Sequence, residues 1–219
     1  MRAVVFVNGE VQDYVALARW LRPGDRLIGA DGGTHHILAL NLQPHAVVGD
    51  LDSLEPETVA ELAALGVSIE QHPVAKDQTD LELAIERGLR DGADEILLLG
   101  ALGGRLDQTL ANLLILAQRS WPVPLRLAEG CQLAQVLRSG GMLVLPAEVG
   151  STVSAIPLST SVTGITYTGL AYPLHDATLT LGSTRGVSNV VAAAPATITI
   201  REGVLLVVCV QDPQVTLPV

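Results

Sequence analysis

A chain of 219 residues, 48% hydrophobic and 16% charged, carries enough apolar material for a substantial core and is not a disordered polymer. Its formal net charge of −10 and its 3% aromatic content argue against a nucleic-acid binder, which needs clustered Lys and Arg and rings on which bases stack. Cys131 and Cys209 offer no disulfide framework, and the apolar run GVLLVVCV falls far short of the roughly 20 residues a membrane helix needs. The start, MRAVVFVNGE, reads as a first strand and not as a signal peptide, so a soluble cytoplasmic protein is expected.

In chain order, AVVFV (3–7) is a β-branched run, followed by VQDYVALARWL, in which Val11, Val15 and Ala18 recur at helical spacing. RLIGA (26–30) predicts a second strand and leads through Asp31-Gly32-Gly33 into the helical THHILAL. HAVVG (45–49) predicts a third strand, and PETVAELAALG (56–66) a helix with Pro near its start and Gly at its end. VSIEQ, TDLELAIERGL, EILLLG and LDQTLANLLILAQ continue the alternation, with Leu81, Ile85 and Leu89 four apart. Buried strands alternating with helices predict a parallel sheet covered on both faces, in a Rossmann-like α/β domain over residues 1–130.

SWPVPLRLAEG (120–130) reads as the junction. Beyond it helical periodicity disappears. ATLTL and ATITI alternate apolar residues with Thr, and Gly, Ser and Pro punctuate short runs. That pattern predicts a C-terminal antiparallel β-sandwich over residues 131–219.

Ligands of an open parallel sheet bind beyond the carboxyl ends of its strands. Polar clusters fall there in five successive loops: Asn8-Gly9, Asp31-Gly32-Gly33, Asp50/Asp52/Ser53, KDQTD (76–80) and GALGGRLDQ (100–108). Each has a plainer reading. Asp31 can cap a helix, Asp77 and Asp80 fit an N-cap and an early-turn acid, and Asp50 and Asp52 can be solvated turn residues. In an extended segment, however, residues i and i+2 point the same way, so Asp50 and Asp52 would address one point. With Asp80 they would supply three hard oxygens suited to Mg²⁺, which also takes waters and substrate phosphates. Gly100, Gly103 and Gly104 before a helix, with Arg105, suit an anion. No Walker loop and no GxGxxG spacing is present.

Together ADGGTHHIL, GDLDS, KDQTDLELAI and GALGGRLDQTLANLLIL, in this order and spacing, resemble the thiamine pyrophosphokinase (thiamine diphosphokinase) family. The later GLAYPL (169–174) and GVSNV (186–190) are similar to its C-terminal signatures. The resemblance implies Mg²⁺-dependent transfer of a pyrophosphoryl group from ATP to thiamine, giving thiamine diphosphate and AMP. It implies a homodimer with active sites between subunits.

By this resemblance Asp50, Asp52 and Asp80 are metal and phosphate-site acids, and with Arg105 the catalytic set. Asp31, Gly32, Gly33, Ser53, Asp77, Thr79, Gly103, Gly104, Arg105, Asp107 and Gln108 face ATP. Tyr172, Ser188 and Asn189 face thiamine, against the plainer readings of Tyr172 as core and Ser188-Asn189 as a turn. Two positions depart from the family pattern: Gln108 stands where many bacterial members have His, and Val190 where an acid is common. The rival readings are a Mg²⁺-dependent phosphotransferase acting on another small acceptor, and a non-catalytic nucleotide or thiamine sensor.

Overall fold

The structure, a computed structural model, describes residues 1–211. The chain divides into two compact units, Met1–Gly130 and a second beginning at Cys131. The first is built from β1 (Arg2–Phe6), α1 (Tyr14–Ala18), β2 (Arg26–Ala30), a single 3-10 turn (Asp31–Gly33), α2 (Thr34–Ala39), β3 (Ala46–Gly49), α3 (Pro56–Ala64), β4 (Ser68–Gln71), α4 (Asp80–Arg90), β5 (Glu95–Leu99), α5 (Leu106–Gln118) and β6 (Leu125–Glu129). Its strands pair in the order β6-β5-β1-β2-β3-β4, every pair parallel.

Both faces of this sheet are covered, as the register shows. Ile28 lies opposite Ala46 and Gly29 opposite Val47, and successive residues of a strand face opposite ways. Gly88 of α4 packs toward Ala3, Ile28 and Ile96, whereas a Cβ at Gly29 would collide with Thr34 of α2. On the Val47 side Leu51, Leu54, Leu62 and Val67 close a buried cluster.

Three sequence expectations need correction here. The α1 helix is short, capped by Asp13, and buries Leu17 and not the periodic set, since Val15 is 70% exposed. The capping carboxylate, which takes the N–H groups of Val15 and Ala16, fixes where the helix begins and therefore which face turns inward. The supposed junction contributes a strand: β6 continues the parallel sheet beside β5. Asp77 does not cap α4. Thr79 does, taking the N–H of Glu82 at 3.3 Å, while Asp77 lies exposed in the loop before it.

The second unit contains β7 (Gln132–Arg138), β8 (Met142–Val144), β9 (Thr152–Pro157), β10 (Ser161–Thr168), β11 (Ala177–Thr180), β12 (Asn189–Val190), β13 (Thr197–Thr199) and β14 (Val204–Val210). They pair antiparallel in two sets, β12-β9-β14-β7 and β11-β10-β13-β8. The apolar run around Cys209 is the inner strand β14, hydrogen-bonded on both edges. Val153, Leu205 and Val207 from the first set share one buried cluster with Val162, Ile165, Leu179 and Ile198 from the second. Among the described residues no helix is long and apolar enough to cross a membrane.

Candidate functional site

The polar loops of the first unit follow the carboxyl ends of its parallel strands and pack on one another through glycines. A Cβ at Gly32 would meet the Asn8 amide at 2.4 Å, and one at Gly9 would meet the Leu102 carbonyl at 2.3 Å. Gly9 N–H donates to the Gly100 carbonyl and Glu10 N–H to that of Leu102. His36 locks the same contact: its Nε2–H donates to the Gly9 carbonyl at 3.0 Å, so Nδ1 accepts the Tyr14 hydroxyl at 2.8 Å. Burial holds the His36 pKa below the usual histidine value, the Gly9 carbonyl opposing and the nearby His35 adding to the shift.

Asp31, Asp50 and Asp52 converge, each offering an oxygen within 4.8 Å of the other two. The convergence does not come from an extended segment. Leu51 between the two acids has φ +67°, a left-handed conformation unusual for leucine, and its side chain is buried with Val47 and Leu62. That apolar anchor turns the backbone and leaves the flanking carboxylates on one side. Asp52 N–H donates to Asp50 Oδ1 at 3.3 Å, and His35 Nε2–H ties down the Ser53 carbonyl at 2.9 Å.

Asp31 caps no helix; its φ is +46°, and its buried Oδ1 has no hydrogen-bond partner among the described residues. A buried carboxylate oxygen without a hydrogen-bond partner, set among two more carboxylates, is costly, and a divalent cation is a group that relieves it. The donor set therefore fits a hard metal ion. Gly49 keeps the space open: a Cβ there would lie 2.9 Å from Asp31 Cβ and 3.1 Å from Asp80 Oδ1.

Asp80, the first residue of α4, stands beside this trio, and Lys76 binds it. Lys76 Nζ is 2.9 Å from Asp80 Oδ1 and 3.5 Å from Asp50 Oδ2. Burial disfavours the ammonium, but Asp80 and then Asp50 outweigh it and hold the Lys76 pKa above its usual value. In the fifth loop Gly103 and Gly104 have φ of +84° and +67° and present backbone ahead of α5. Arg105, at the N-cap of that helix, makes no side-chain cap bond, and the first-turn N–H groups of Asp107 and Gln108 are engaged by the Asp107 carboxylate. Arg105 forms an exposed bidentate pair with Asp107, at 2.6 and 3.1 Å, which draws the Asp107 carboxyl down to about 2.

In the second unit Asn189 is 5% exposed and holds the Tyr172 backbone, accepting its N–H at 3.0 Å and donating to its carbonyl at 2.7 Å. Tyr172 itself is 68% exposed, which removes the core role for its ring. Ser188 has φ +61°, and its N–H donates to Ser154 Oγ.

Both units match models of known protein families. A family model described as thiamin pyrophosphokinase, catalytic domain, matches residues 18–123, and one described as thiamin pyrophosphokinase, vitamin B1 binding domain, matches residues 143–205. A thiamine pyrophosphokinase of Bacillus subtilis (strain 168) is 30% identical over 182 residues, 83% of this chain and 85% of its own length.

The chain belongs to the thiamin pyrophosphokinase family.

A thiamine pyrophosphokinase 1 of Oryza sativa subsp. japonica is 27% identical over 90% of this chain and 83% of its own. The crystal structure of thiamine pyrophosphokinase from Bacillus subtilis aligns with a TM-score of 0.83 at 28% identity, covering 97% of this chain and 100% of that one. Thiamin pyrophosphokinase from Candida albicans, at 17% identity and a TM-score of 0.76, shares the fold.

Asp50 and Asp52 thus meet as the sequence suggested, with Asp31 as the third carboxylate of the cluster and Asp80 engaged by Lys76. Thr79 acts as the α4 cap, and Gln108 lies exposed in the first turn of α5. The sequence reading missed Lys76, Gly49 and His36. Lys76 lies within KDQTD and Gly49 directly precedes Asp50, but nothing local in HAVVG or THHILAL says which loops they adjoin.

Proposed function

We propose that the chain transfers a pyrophosphoryl group from ATP to the hydroxyl of thiamine, forming thiamine diphosphate and AMP. The observation that carries this reading is the Asp31/Asp50/Asp52 cluster with its orphaned Asp31 oxygen, within the segment matched by the catalytic-domain model. The three carboxylates would hold Mg²⁺, which when bound neutralises and orients phosphate oxygens.

The remaining work falls to positioning. The Gly103-Gly104 backbone and the α5 N-terminus, where the Asp107 carboxylate would give up the Asp107 and Gln108 N–H groups, supply donors for an anionic tail. Arg105, exposed and paired with exposed Asp107, can exchange that partner for a phosphate oxygen. Lys76 holds a positive charge between Asp50 and Asp80, where the negative charge of the phosphates would gather.

Tyr172, Ser188 and Asn189 are assigned to thiamine, with Asn189 acting through the Tyr172 backbone. This is supported by the vitamin B1 binding model over residues 143–205. We read the first unit as Rossmann-like and the second as a β-sandwich, supported by the doubly covered parallel sheet and by the cluster shared between two antiparallel sets. A cytoplasmic homodimer with active sites between subunits completes the reading. Leu106, Leu110 and Leu114 support the dimer: spaced four apart on α5, they are 81%, 55% and 44% exposed.

The test is to incubate the purified chain with ATP, Mg²⁺ and thiamine and to measure AMP and thiamine diphosphate together. Equal amounts of both, abolished by EDTA, are expected. AMP without a thiamine product overturns the acceptor, and no turnover by the folded protein overturns catalysis.

A further inference from the structure

We infer that the amino ends of β2, β3 and β4 form a second ligand site, a receptor for a phosphoryl group, at the end of the parallel sheet remote from the carboxylate cluster. A cavity of about 490 Å³ opens there, lined by Arg26, Gln43, Pro44, His45, Gly66 and Ser68. That volume lies within the range of small-molecule sites, about 300–1,000 Å³. Its lining is unusual for such a site because the polar groups present donors.

The donors follow from the partners each side chain already has. His45 Nδ1 accepts the Leu27 N–H at 3.0 Å, so the ring proton resides on Nε2, which has no partner among the described residues. Ser68 Oγ accepts from Arg87 Nη1 at 3.0 Å, leaving the hydroxyl proton to be given elsewhere. Arg26 commits Nε to Asp91 at 2.6 Å and keeps its terminal nitrogens. Backbone pairing holds the three strand starts side by side: His45 N–H donates to Leu27 O at 2.8 Å and Ser68 N–H to His45 O at 3.1 Å.

Three donors from three strands suit a group with oxygens in three directions. A phosphoryl group has them, whereas a planar carboxylate offers two. The charge agrees. In a chain of net charge −10, Arg26, Arg87 and Arg90 gather here against Asp91 and Glu70, with His72 beside Glu70. The groups that line the cavity are thus one cation, Arg26, and neutral side chains, with no acid among them.

The experiment titrates the full-length protein with inorganic phosphate and, separately, with glycerol phosphate, following the His45 ring nitrogens by NMR. The resonance is assigned by its loss in His45→Asn, which keeps an acceptor for the Leu27 N–H. A saturable shift of the Nε2 signal is expected. Its midpoint should rise about tenfold, or about 1.4 kcal/mol, in Ser68→Ala and in Arg26→Lys, and stay unchanged in Asp52→Asn. A lower midpoint for glycerol phosphate assigns the site to phosphorylated metabolites, and a lower one for inorganic phosphate assigns it to the free ion. A shift that never saturates, or that Ser68→Ala leaves unchanged, overturns the site. Ser68 is exposed and its replacement does not touch the Arg26–Asp91 pair, so this variant decides the question even if Arg26→Lys fails to fold.

Discussion

Asn189 grips Tyr172 by both sides of its backbone, with hydrogen bonds of 3.0 and 2.7 Å, and thereby presents an exposed ring from a buried amide. The Asn189 side chain also accepts the Val190 N–H at 2.9 Å, so its oxygen serves two donors. Removing it takes the partner from the Tyr172 N–H and carbonyl and from the Val190 N–H, all partly buried. Asn189→Ala is therefore expected to destabilise the protein by about 1–3 kcal/mol in urea unfolding. The thiamine KM should rise more than kcat falls, because the ring is displaced while the phosphate loops are untouched. An unchanged KM would place thiamine away from Tyr172.

The carboxylate trio makes an opposite-signed pair of expectations. With metal removed, Asp52→Asn relieves repulsion among oxygens within 4.8 Å of one another and should leave the melting temperature unchanged or raised. With Mg²⁺, ATP and thiamine, kcat should fall by about two orders of magnitude or more, the size of effect seen when one preorganised electrostatic group is lost. A variant that melts early and stays active would mean the trio is structural.

Lys76 tests the same electrostatics from the other sign. Its ammonium pairs with Asp50 and Asp80 at 3.5 and 2.9 Å. Lys76→Met should lower stability in EDTA and enlarge the gain in melting temperature on adding Mg²⁺, relative to the parent chain. Equal gains in both proteins would show that Lys76 and the cation do not share these acids.

The His36 contact gives a pH dependence. Burial lowers its pKa in the folded state, so between that value and the unfolded value of about 6.5 the unfolded chain binds more protons. Stability is fully present above about pH 6.5 and falls as pH drops toward the lowered value. His36→Gln, which cannot titrate, should lose less stability between about pH 7 and pH 5 than the parent chain. Glu70 and Asp91, whose pKa values are lowered by Arg90, Arg87 and Arg26 against the cost of burial, weaken the protein only at lower pH. Parallel thermal denaturation curves for the two proteins across that window would remove His36 from the account.

Much of the architecture was legible residue by residue. RLIGA is β2 over its full length, and LDQTLANLLILAQ is α5 from end to end, because β-branched runs and apolar spacing report local conformation directly. The paired acids of GDLDS and the glycines of GALGG pointed to a phosphate and metal site, since few other arrangements tolerate such charges and turns together. Other features depended on partners distant in sequence. Val15 looked inward by period, yet the Asp13 cap turned α1 so that Leu17 is buried.

Asp50 and Asp52 meet through the left-handed backbone at Leu51, whose side chain is drawn into a core formed by α3 and the segment before β4. Asp31 joins them because β2 and β3 are adjacent parallel strands, so the loops at their carboxyl ends are neighbours although Asp31 and Asp50 are 19 positions apart in sequence. Local spacing specifies how each segment bends and which residues it offers. Which offered residues come together is decided by strand order and by burial of apolar anchors, both of which arise only when the segments pack.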